Sequence, residues 1–343
     1  MADTVTTSPS TPLVDGFGRQ VTYLRLSVTD RCDLRCSYCM AEHMTFLPKR
    51  ELLTLEELEL VTSAFIRRGV RKVRITGGEP LVRKDIMTLF SRLGDQLGQG
   101  LDELTLTTNA TQLDRYAAEL KLCGVERVNI SLDTLDEDRF EAITRRGDLH
   151  KVLKGIDAAL DAGLKVKINT VALKHANADE LPTMIEWAHA RGMDMTLIEV
   201  MPLGETGEDR VDQYIPLPMI RDQLEQGWTL EDIANDRPNG GPSRYVRIHE
   251  TGGRLGFITP LTNNFCAGCN RVRLTCTGRI YMCLGQDDHL DLREAIRTSQ
   301  TPHTTLDSTL DRAMFVKPER HEFVIRTPGA APALARHMSV TGG

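Results

Sequence analysis

"RLSVTDRCDLRCSYCMAEH" (Arg25–His43) begins as a strand and ends as a cysteine loop. Its first residues belong to the run VTYLRLSV (21–28), whose apolar positions recur in the manner of a β-strand. Directly after it come Cys32, Cys36 and Cys39, spaced CxxxCxxC. In parallel α/β architectures the loops at strand C-termini carry the site, so three thiols placed there point to bound metal. A closed structural zinc takes four ligands in regular pairs. This loop offers three, with His43 as a candidate fourth that is more simply a solvated side chain. Three thiolates in one short loop suit a [4Fe–4S] cluster with one iron left open for a ligand.

Working outward, short apolar runs alternate with amphipathic helices from about residue 21 to 201. Strands are predicted at 21–28, 71–76, 102–108, 125–132, 164–173 and 194–201. Helices are predicted at 54–69, near 84–97, and at 113–123, 150–163 and 178–192. The helix over 54–69 opens with Thr54 and Glu57 at capping-box spacing and closes at Gly69. Strands joined by right-handed helical crossovers form a parallel sheet, open or curled. A closed eight-unit barrel needs two units more than the pattern provides. The expected fold is therefore α/β, a partial (βα)6 TIM-type barrel. After Met201 the chain turns to polar Gly/Pro-rich loops and strand-like pieces such as SRYVRI, GRLGFIT, RVRLTCT and RIYMCL, with one short helix in PMIRDQLEQG. This reads as a smaller C-terminal region against the barrel mouth. The expected divisions are a disordered Ser/Thr-rich lead (1–18), the barrel (19–202), the C-terminal region (203–326) and a flexible tail (327–343).

The chain has 343 residues, 41% hydrophobic and 26% charged, which is ordinary for a globular protein. A net charge of −6 implies no general polyanion-binding surface, so no nucleic-acid partner is expected. No apolar run is long enough to span a membrane, and the N-terminus shows neither a secretory nor a transit signal. A cytoplasmic location is expected, and with it reduced thiols. Seven of the eight cysteines fall in two groups, and Cys123 alone reads as a small buried hydrophobe. The second group is NNFCAGCNRVRLTCTGRIYMCL (263–284), with Cys266, Cys269, Cys276 and Cys283. Spacing alone leaves a structural zinc ribbon open there. Arg271 and Arg273, two apart in a strand, face one way directly after the Cys266–Cys269 pair. Paired guanidinium forks at such a place suit a phosphate-bearing ligand, although an isolated Arg-x-Arg is most often a solvated edge.

CxxxCxxC with an aromatic residue, Tyr38, before its last cysteine resembles the signature of the radical S-adenosylmethionine (SAM) enzymes. The resemblance implies that Cys32, Cys36 and Cys39 hold a [4Fe–4S] cluster whose open iron takes the amino and carboxylate groups of SAM. RITGGEP (74–80) is similar to the Gly-Gly-Glu-Pro motif of that superfamily. There, glycines allow close approach of backbone to the methionine amino group. By position, Tyr38, Gly78, Ser131 and Met201 are the expected SAM contacts.

The run LRLSVTDRCDLRCSYCM, RITGGEPLVR, LTTNA, VNISLDTLD, KVKINTV, IEVM, the C-x2-C-N-R-x-R-L-T group and the final Gly-Gly are similar, in order, to the GTP 3',8-cyclase family. That family performs the first step of molybdenum cofactor biosynthesis, and the resemblance covers about residues 16–343. It implies a second [4Fe–4S] cluster on Cys266, Cys269 and Cys283, with its open iron toward the guanine of GTP, and Cys276 as an extra thiol. It places GTP contacts on Arg25, Arg74, Thr107, Lys167, Arg271 and Arg273, with Lys165 as the neighbour that could replace Lys167 at the lumen. Gly342 and Gly343 are the tail expected to reach the active site. TTNA departs from the family, which has Asn-Gly; Ala110 restricts the turn there.

The implied activity is a radical carbon–carbon lyase. A 5'-deoxyadenosyl radical removes the ribose C3' hydrogen of GTP and the carbon radical attacks guanine C8, giving 3',8-cyclo-7,8-dihydro-GTP. The implied partners are a flavodoxin- or ferredoxin-type electron donor, cyclic pyranopterin monophosphate synthase as the recipient of product, and a second copy in a homodimer. Two other readings stay open: a radical SAM peptide maturase with an auxiliary cluster, and a non-enzymatic metal-binding or electron-transfer protein. The first leaves the Arg-x-Arg pair and Gly-Gly tail unexplained. The second leaves Gly-Gly-Glu-Pro without a purpose.

Overall fold

The computed structural model describes residues 11–206, 212–234, 240–323 and 332–342. Six strands with intervening helices make the frame. They are β1 (Tyr23–Ser27), β2 (Lys72–Thr76), β3 (Glu103–Thr108), β4 (Arg127–Ser131), β5 (Lys165–Ala172) and β6 (Asp194–Glu199). The crossovers are α1 (Leu55–Arg67), α2 (Ile86–Gly94), α3 (Leu113–Leu122), α4 (Glu137–Thr144), α5 (Leu149–Asp161) and α6 (Leu181–Ala190). All five neighbouring pairs from β1 to β6 are parallel. Apolar residues of the helices, such as Leu58, Phe65, Phe90, Leu120 and Ile156, are buried against the sheet in one continuous core. The capping box of α1 is formed in both directions, Glu57 N–H to Thr54 Oγ1 at 3.1 Å and Thr54 N–H to Glu57 Oε2 at 2.8 Å.

The C-terminal strands continue this sheet rather than covering its mouth as a separate layer. After α7 (Leu217–Leu224) come β7 (Leu230–Ile233), β8 (Arg244–Ile248), β9 (Arg254–Ile258), β10 (Arg271–Leu274), β11 (Arg279–Tyr281) and β12 (His289–Asp291). Among the described residues the sheet order is β12-β11-β10-β1-β2-β3-β4-β5-β6-β9-β8-β7. Thus β10 extends the barrel beside β1, and β9 extends it beside β6, each in parallel. Glu199 at the end of β6 ties the two parts. Buried, it accepts from the N–H groups of Leu217 at 3.3 Å and Leu261 at 3.0 Å.

Two expected flexible segments are ordered where they are described. Within the predicted lead, Leu13 is fully buried, its N–H bonded to the Arg68 carbonyl at 3.0 Å. One apolar residue with a backbone partner is enough to dock what composition alone marks as solvated. The predicted tail returns as a short helix, α10 (Met338–Thr341), with Thr341 fully buried. Three further helices, α4, α8 (Leu292–Arg297) and α9 (Pro302–Phe315), were not predicted. α9 is rich in threonine and weak in propensity. Tertiary contact sustains it: Leu306 and Leu310 are buried, and Arg68 pairs with Asp307 and Asp311.

Candidate active site

Period-two alternation directs one set of strand residues into the barrel. Arg271, Tyr23 and Lys72 form one rung of register partners on β10, β1 and β2, and Arg273, Arg25 and Arg74 form the next. Arg127 on β4 and Lys167 on β5 add two cations to the same cavity, which Tyr245 of β8 and Cys266, Cys269 and Cys283 also line. Lys167 is buried there while Lys165, two residues before it, is exposed. Of the pair of candidates, Lys167 is the lumen residue.

Seven cations in one cavity need counter-charge. Glu103 holds two of them, pairing with Lys72 at 2.9 Å and with Arg127. Burial opposes its ionisation, but those two cations outweigh it and bring the carboxyl down to about 2. The others lack an acid among the described residues. Burial lowers Arg25 to about 10, and it lowers Lys167 well below the ordinary lysine range with Arg74 and Arg127 adding to the effect. Burial would raise Tyr23, yet Arg74, Arg25, Lys72 and Arg271 together draw its phenol down to about 8. Arg25 Nε, Arg271 Nε and the Tyr23 hydroxyl are buried without a protein partner. Buried donors seldom go unpaired. Orphaned guanidinium donors in a cationic cavity fit a polyphosphate.

The second cavity lies at the C-terminal ends of the strands. Cys32, Cys36, Cys39, Tyr38, Gly78, Ser131 and Met201 line it together. Thr107, expected with the triphosphate contacts, lies in this cavity instead of the cationic one, its hydroxyl unpartnered. It shares a register row with Lys167 through Asn129, one row beyond Arg25 and Arg74, yet it lines the cysteine side. The Tyr38 hydroxyl donates to Asp133 Oδ2 at 2.7 Å, leaving the ring as the part that faces the cavity. A Cβ on Gly78 would lie 2.2 Å from the Arg31 carbonyl oxygen. The glycine thus admits the backbone of the cysteine loop itself, whose Thr29 carbonyl accepts from Gly78 N–H at 2.8 Å. The neighbouring Glu79 is buried and fixes this turn. It accepts from Leu81 N–H at 3.0 Å, Thr108 Oγ1 at 2.8 Å and Asn109 N–H at 2.7 Å. Burial outweighs these donors and lifts it to about 7.

Two thiols of the first group are pushed up, Cys32 by burial and then Glu79, Cys36 by burial and then Cys39. A coordinated metal reverses that, because it deprotonates the thiol that binds it. Among the described residues no three His, Cys, Asp or Glu side chains converge on a point that a single ion would occupy. Cys32, Cys36 and Cys39 instead share the wall of one cavity, as ligands at separate corners of a polynuclear cluster do. The extra thiol, Cys276, is fully buried and lines neither cavity. Burial, and then Asp30, raises it to about 12.

The two cavities share Asn169, Ile198, Met201 and Met338 as a common wall. Met338 belongs to α10, so the C-terminal segment is part of that wall. Gly342 extends the same approach: its carbonyl accepts from Arg273 Nη1 at 2.6 Å. It has φ +73, and a Cβ there would lie 2.2 Å from Thr76 Cγ2. Gly343 lies outside the described residues. The sequence reading missed Tyr23, Lys72, Arg127 and Asn169. For three of them the signal was present: Tyr23 and Lys72 sit two residues from a chosen arginine, and Asn169 sits two from Lys167 and opposite Ser131; Arg127 pairs with Thr105 and Lys165 and had no such neighbour.

Comparison with known proteins agrees in both halves of the chain. The model of the Radical SAM superfamily matches residues 26–188, and that of Molybdenum Cofactor Synthesis C matches 193–323. GTP 3',8-cyclase of Rhizobium etli is 61% identical over 98% of this chain and 96% of its own length. That of Rhizobium meliloti is 63% identical over 97% and 95%, and that of Brucella canis 61% over 98% and 97%. Among solved structures, Streptococcus suis SuiB bound to precursor peptide SuiA aligns with a TM-score of 0.61 at 17% identity, covering 90% of this chain and 67% of that one. Native anSMEcpe with bound AdoMet gives 0.58 at 14% identity, covering 88% and 82%. These remote likenesses support the partial-barrel fold alone. The relatives, nearly full-length and well above the level at which a family is shared, settle the rest: this chain belongs to the GTP 3',8-cyclase family of radical SAM enzymes.

Proposed function

We propose that this chain converts GTP to (8S)-3',8-cyclo-7,8-dihydroguanosine 5'-triphosphate, the first step of molybdenum cofactor biosynthesis. The observation that carries this reading is the shared wall between the cysteine-lined cavity and the cationic one. Cys32, Cys36 and Cys39 hold one [4Fe–4S] cluster, and Tyr38, Gly78, Ser131 and Met201 surround SAM beside it. When bound, these groups supply a 5'-deoxyadenosyl radical that removes the ribose C3' hydrogen, after which the carbon radical closes on guanine C8. Cys266, Cys269 and Cys283 would hold the second cluster, which would supply a binding position for the guanine. Arg25, Arg74, Lys167, Arg271 and Arg273 neutralise and position the triphosphate. Asn169 and Met201, in the common wall, set the approach of the ribose to the first cavity. Thr107 orients a group on the SAM side of that wall.

Enclosure by α10 protects a reactive carbon radical from water and stray donors. Gly342, bonded to Arg273, keeps that guanidinium turned inward. A cavity with this many buried cations does not suit a peptide substrate. Among the described residues no helix is long and apolar enough to cross a membrane. We place the enzyme in the cytoplasm with a flavodoxin- or ferredoxin-type donor, as a homodimer, passing product to cyclic pyranopterin monophosphate synthase. Anaerobic reconstitution with iron and sulfide, then dithionite, SAM and GTP, tests the reading. About eight irons per chain and GTP-dependent 5'-deoxyadenosine are expected. Zinc in place of iron, or cleavage indifferent to GTP, overturns it.

A further inference from the structure

The second cysteine group spans 18 residues and lies in separate pieces, so something outside it must keep its arms in register. Cys266 begins a short 3-10 turn, Cys269 closes it, and Cys283 follows β11. One turn just beyond α9 touches Cys269 and reaches the other two through Met282 and Arg19. Lys317, 3% exposed, donates to the Met282 carbonyl at 3.0 Å, the residue directly before Cys283. The same Nζ lies 3.7 Å from Cys269 Sγ, within hydrogen-bond reach of sulfur. Arg19 completes the tie. Its Nη1 donates to the Cys266 carbonyl at 2.8 Å and to the Glu319 carbonyl at 2.6 Å, and its Nη2 to the Pro318 carbonyl at 2.6 Å. Asp15 holds Arg19 in place at 2.7 Å. Among the described residues Lys317 has no carboxylate partner, so its charge is directed at the thiol group.

Resting on the two-cluster reading above, we propose that the Lys317–Glu319 turn anchors the second cluster. In this role Lys317 is a positioning residue that donates to the Cys269 sulfur and raises that cluster's reduction potential. The physical reason is simple. Reduction adds negative charge to a cluster, and a nearby ammonium and an N–H···S bond favour the more negative state. At the first group Arg35 donates to the Cys32 carbonyl at 2.7 Å and not to its sulfur. Cys32 Sγ faces Asp33 Oδ1 at 3.9 Å, and its donor is the neutral Asn109 amide at 3.8 Å. Neither Lys317 nor Arg19 lies in the wall of the cationic cavity. Their task is therefore separable from triphosphate binding.

The test uses the full chain reconstituted with both clusters, in wild type and in Lys317→Met, Lys317→Gln and Lys317→Arg. SAM perturbs the spectroscopic signal of the first cluster and GTP that of the second, which separates them. Lys317→Met is expected to lower the midpoint potential of the GTP-responsive cluster and speed its loss to a chelator. The SAM-responsive cluster stays unchanged in both respects. Lys317→Gln keeps a neutral donor and falls between, and Lys317→Arg keeps iron content and most of the potential. If Lys317→Met does not fold, Lys317→Gln carries the same expected direction. An unchanged second-cluster potential and chelation rate in the folded neutral variants overturns the proposal. Wild type that reconstitutes with a single cluster overturns the two-cluster reading instead, and this inference falls with it.

Discussion

Two cysteine groups, each supplying three thiols to one cavity, are built in opposite surroundings. The first is a continuous loop of eight residues seated on the backbone of Gly77 and Gly78, with Asp33, Glu79 and Asp133 around it. The second is discontinuous and cationic. Burial would raise Cys269, but Arg271 and Lys317 outweigh it and bring that thiol down. The difference fits the occupants proposed for each side. SAM is a small cofactor that carries its own positive sulfonium, and an acidic frame suits it. A triphosphate brings several negative charges, and the cations that meet it crowd the second group.

The largest expected effects break this pair apart. Cys36→Ser removes a ligand from the first group, so 5'-deoxyadenosine formation falls to the detection floor with or without GTP. Cys269→Ser leaves SAM cleavage measurable but abolishes cyclisation, read by separate assays of deoxyadenosine and product. If Cys269→Ser stopped cleavage as completely as Cys36→Ser, the two groups would be one unit and the comparison would fail. Removing Gly342 and Gly343 gives the same split with less damage, cleavage persisting while cyclisation is lost. Gly342→Ala is the milder probe. Its φ of +73 and the 2.2 Å approach to Thr76 Cγ2 force the tail out. A displacement of that order is worth roughly a hundredfold in turnover.

Next in size is the cationic half. Arg271→Ala deletes a half-buried guanidinium whose buried Nε has no protein partner, and with it the proposed phosphate contact. A hydrogen bond to a charged group is worth about 1.5–3 kcal/mol, so KM for GTP should rise by roughly 10- to 100-fold. Cleavage of SAM in the absence of GTP should not move. An unchanged KM would place the triphosphate elsewhere.

Much of this was legible beforehand because it rests on local rules. The period-two rows Lys72/Arg74 and Arg271/Arg273 declare an inward face, and CxxxCxxC declares a loop at a strand end. What escaped depends on contacts between distant segments. Thr107 reads like a partner of the cations and shares a register row with Lys167 through Asn129, and only the assembled cavities show that it lines the cysteine side. Lys317 follows an unpredicted helix, and nothing in KPER reveals a sulfur 48 residues away in sequence. The joining of β10 to β1 and β9 to β6 is likewise a nonlocal pairing. The reach of the tail was expected from the resemblance alone: its composition is that of a frayed end, while Arg273 and Thr76 make the pocket of Gly342.

A smaller effect tests how the frame of the first group is held. Glu79 accepts two backbone N–H groups and one hydroxyl, which joins the cysteine-loop turn to β3. Glutamine keeps one acceptor oxygen and sets an NH2 against a buried backbone donor. Leaving one such donor unpaired costs about 1–3 kcal/mol, partly offset because a neutral amide escapes the burial penalty on the carboxylate. Glu79→Gln should lower the denaturation free energy near the bottom of that range. It should also weaken retention of the first cluster and leave the second untouched.

The smallest effect is expected at Ala110, in the turn that presents Asn109 to Asp33 at 2.7 Å and to Cys32. Ala110 takes φ +65 and is fully buried. Three terms compete in Ala110→Gly. Relief of the left-handed conformation favours glycine by roughly 1–2 kcal/mol. Loss of a buried methyl costs about 0.8 kcal/mol. The greater freedom of glycine in the unfolded chain costs about 0.4–1 kcal/mol. The sum lies close to zero, so the denaturation midpoint should barely change and both clusters should be retained equally. A stabilisation of well over about 1 kcal/mol would mean that the methyl contributes little packing and the turn is held under strain by its neighbours. A comparable loss would mean that the methyl wedges the turn against the helix behind it. Gly155 of α5 brings that helix against the same turn, since a Cβ on that glycine would lie 2.2 Å from the Ala110 carbonyl oxygen. In that case the acidic frame of the first group depends on side-chain packing as well as on the Asp33, Glu79 and Asn109 hydrogen bonds.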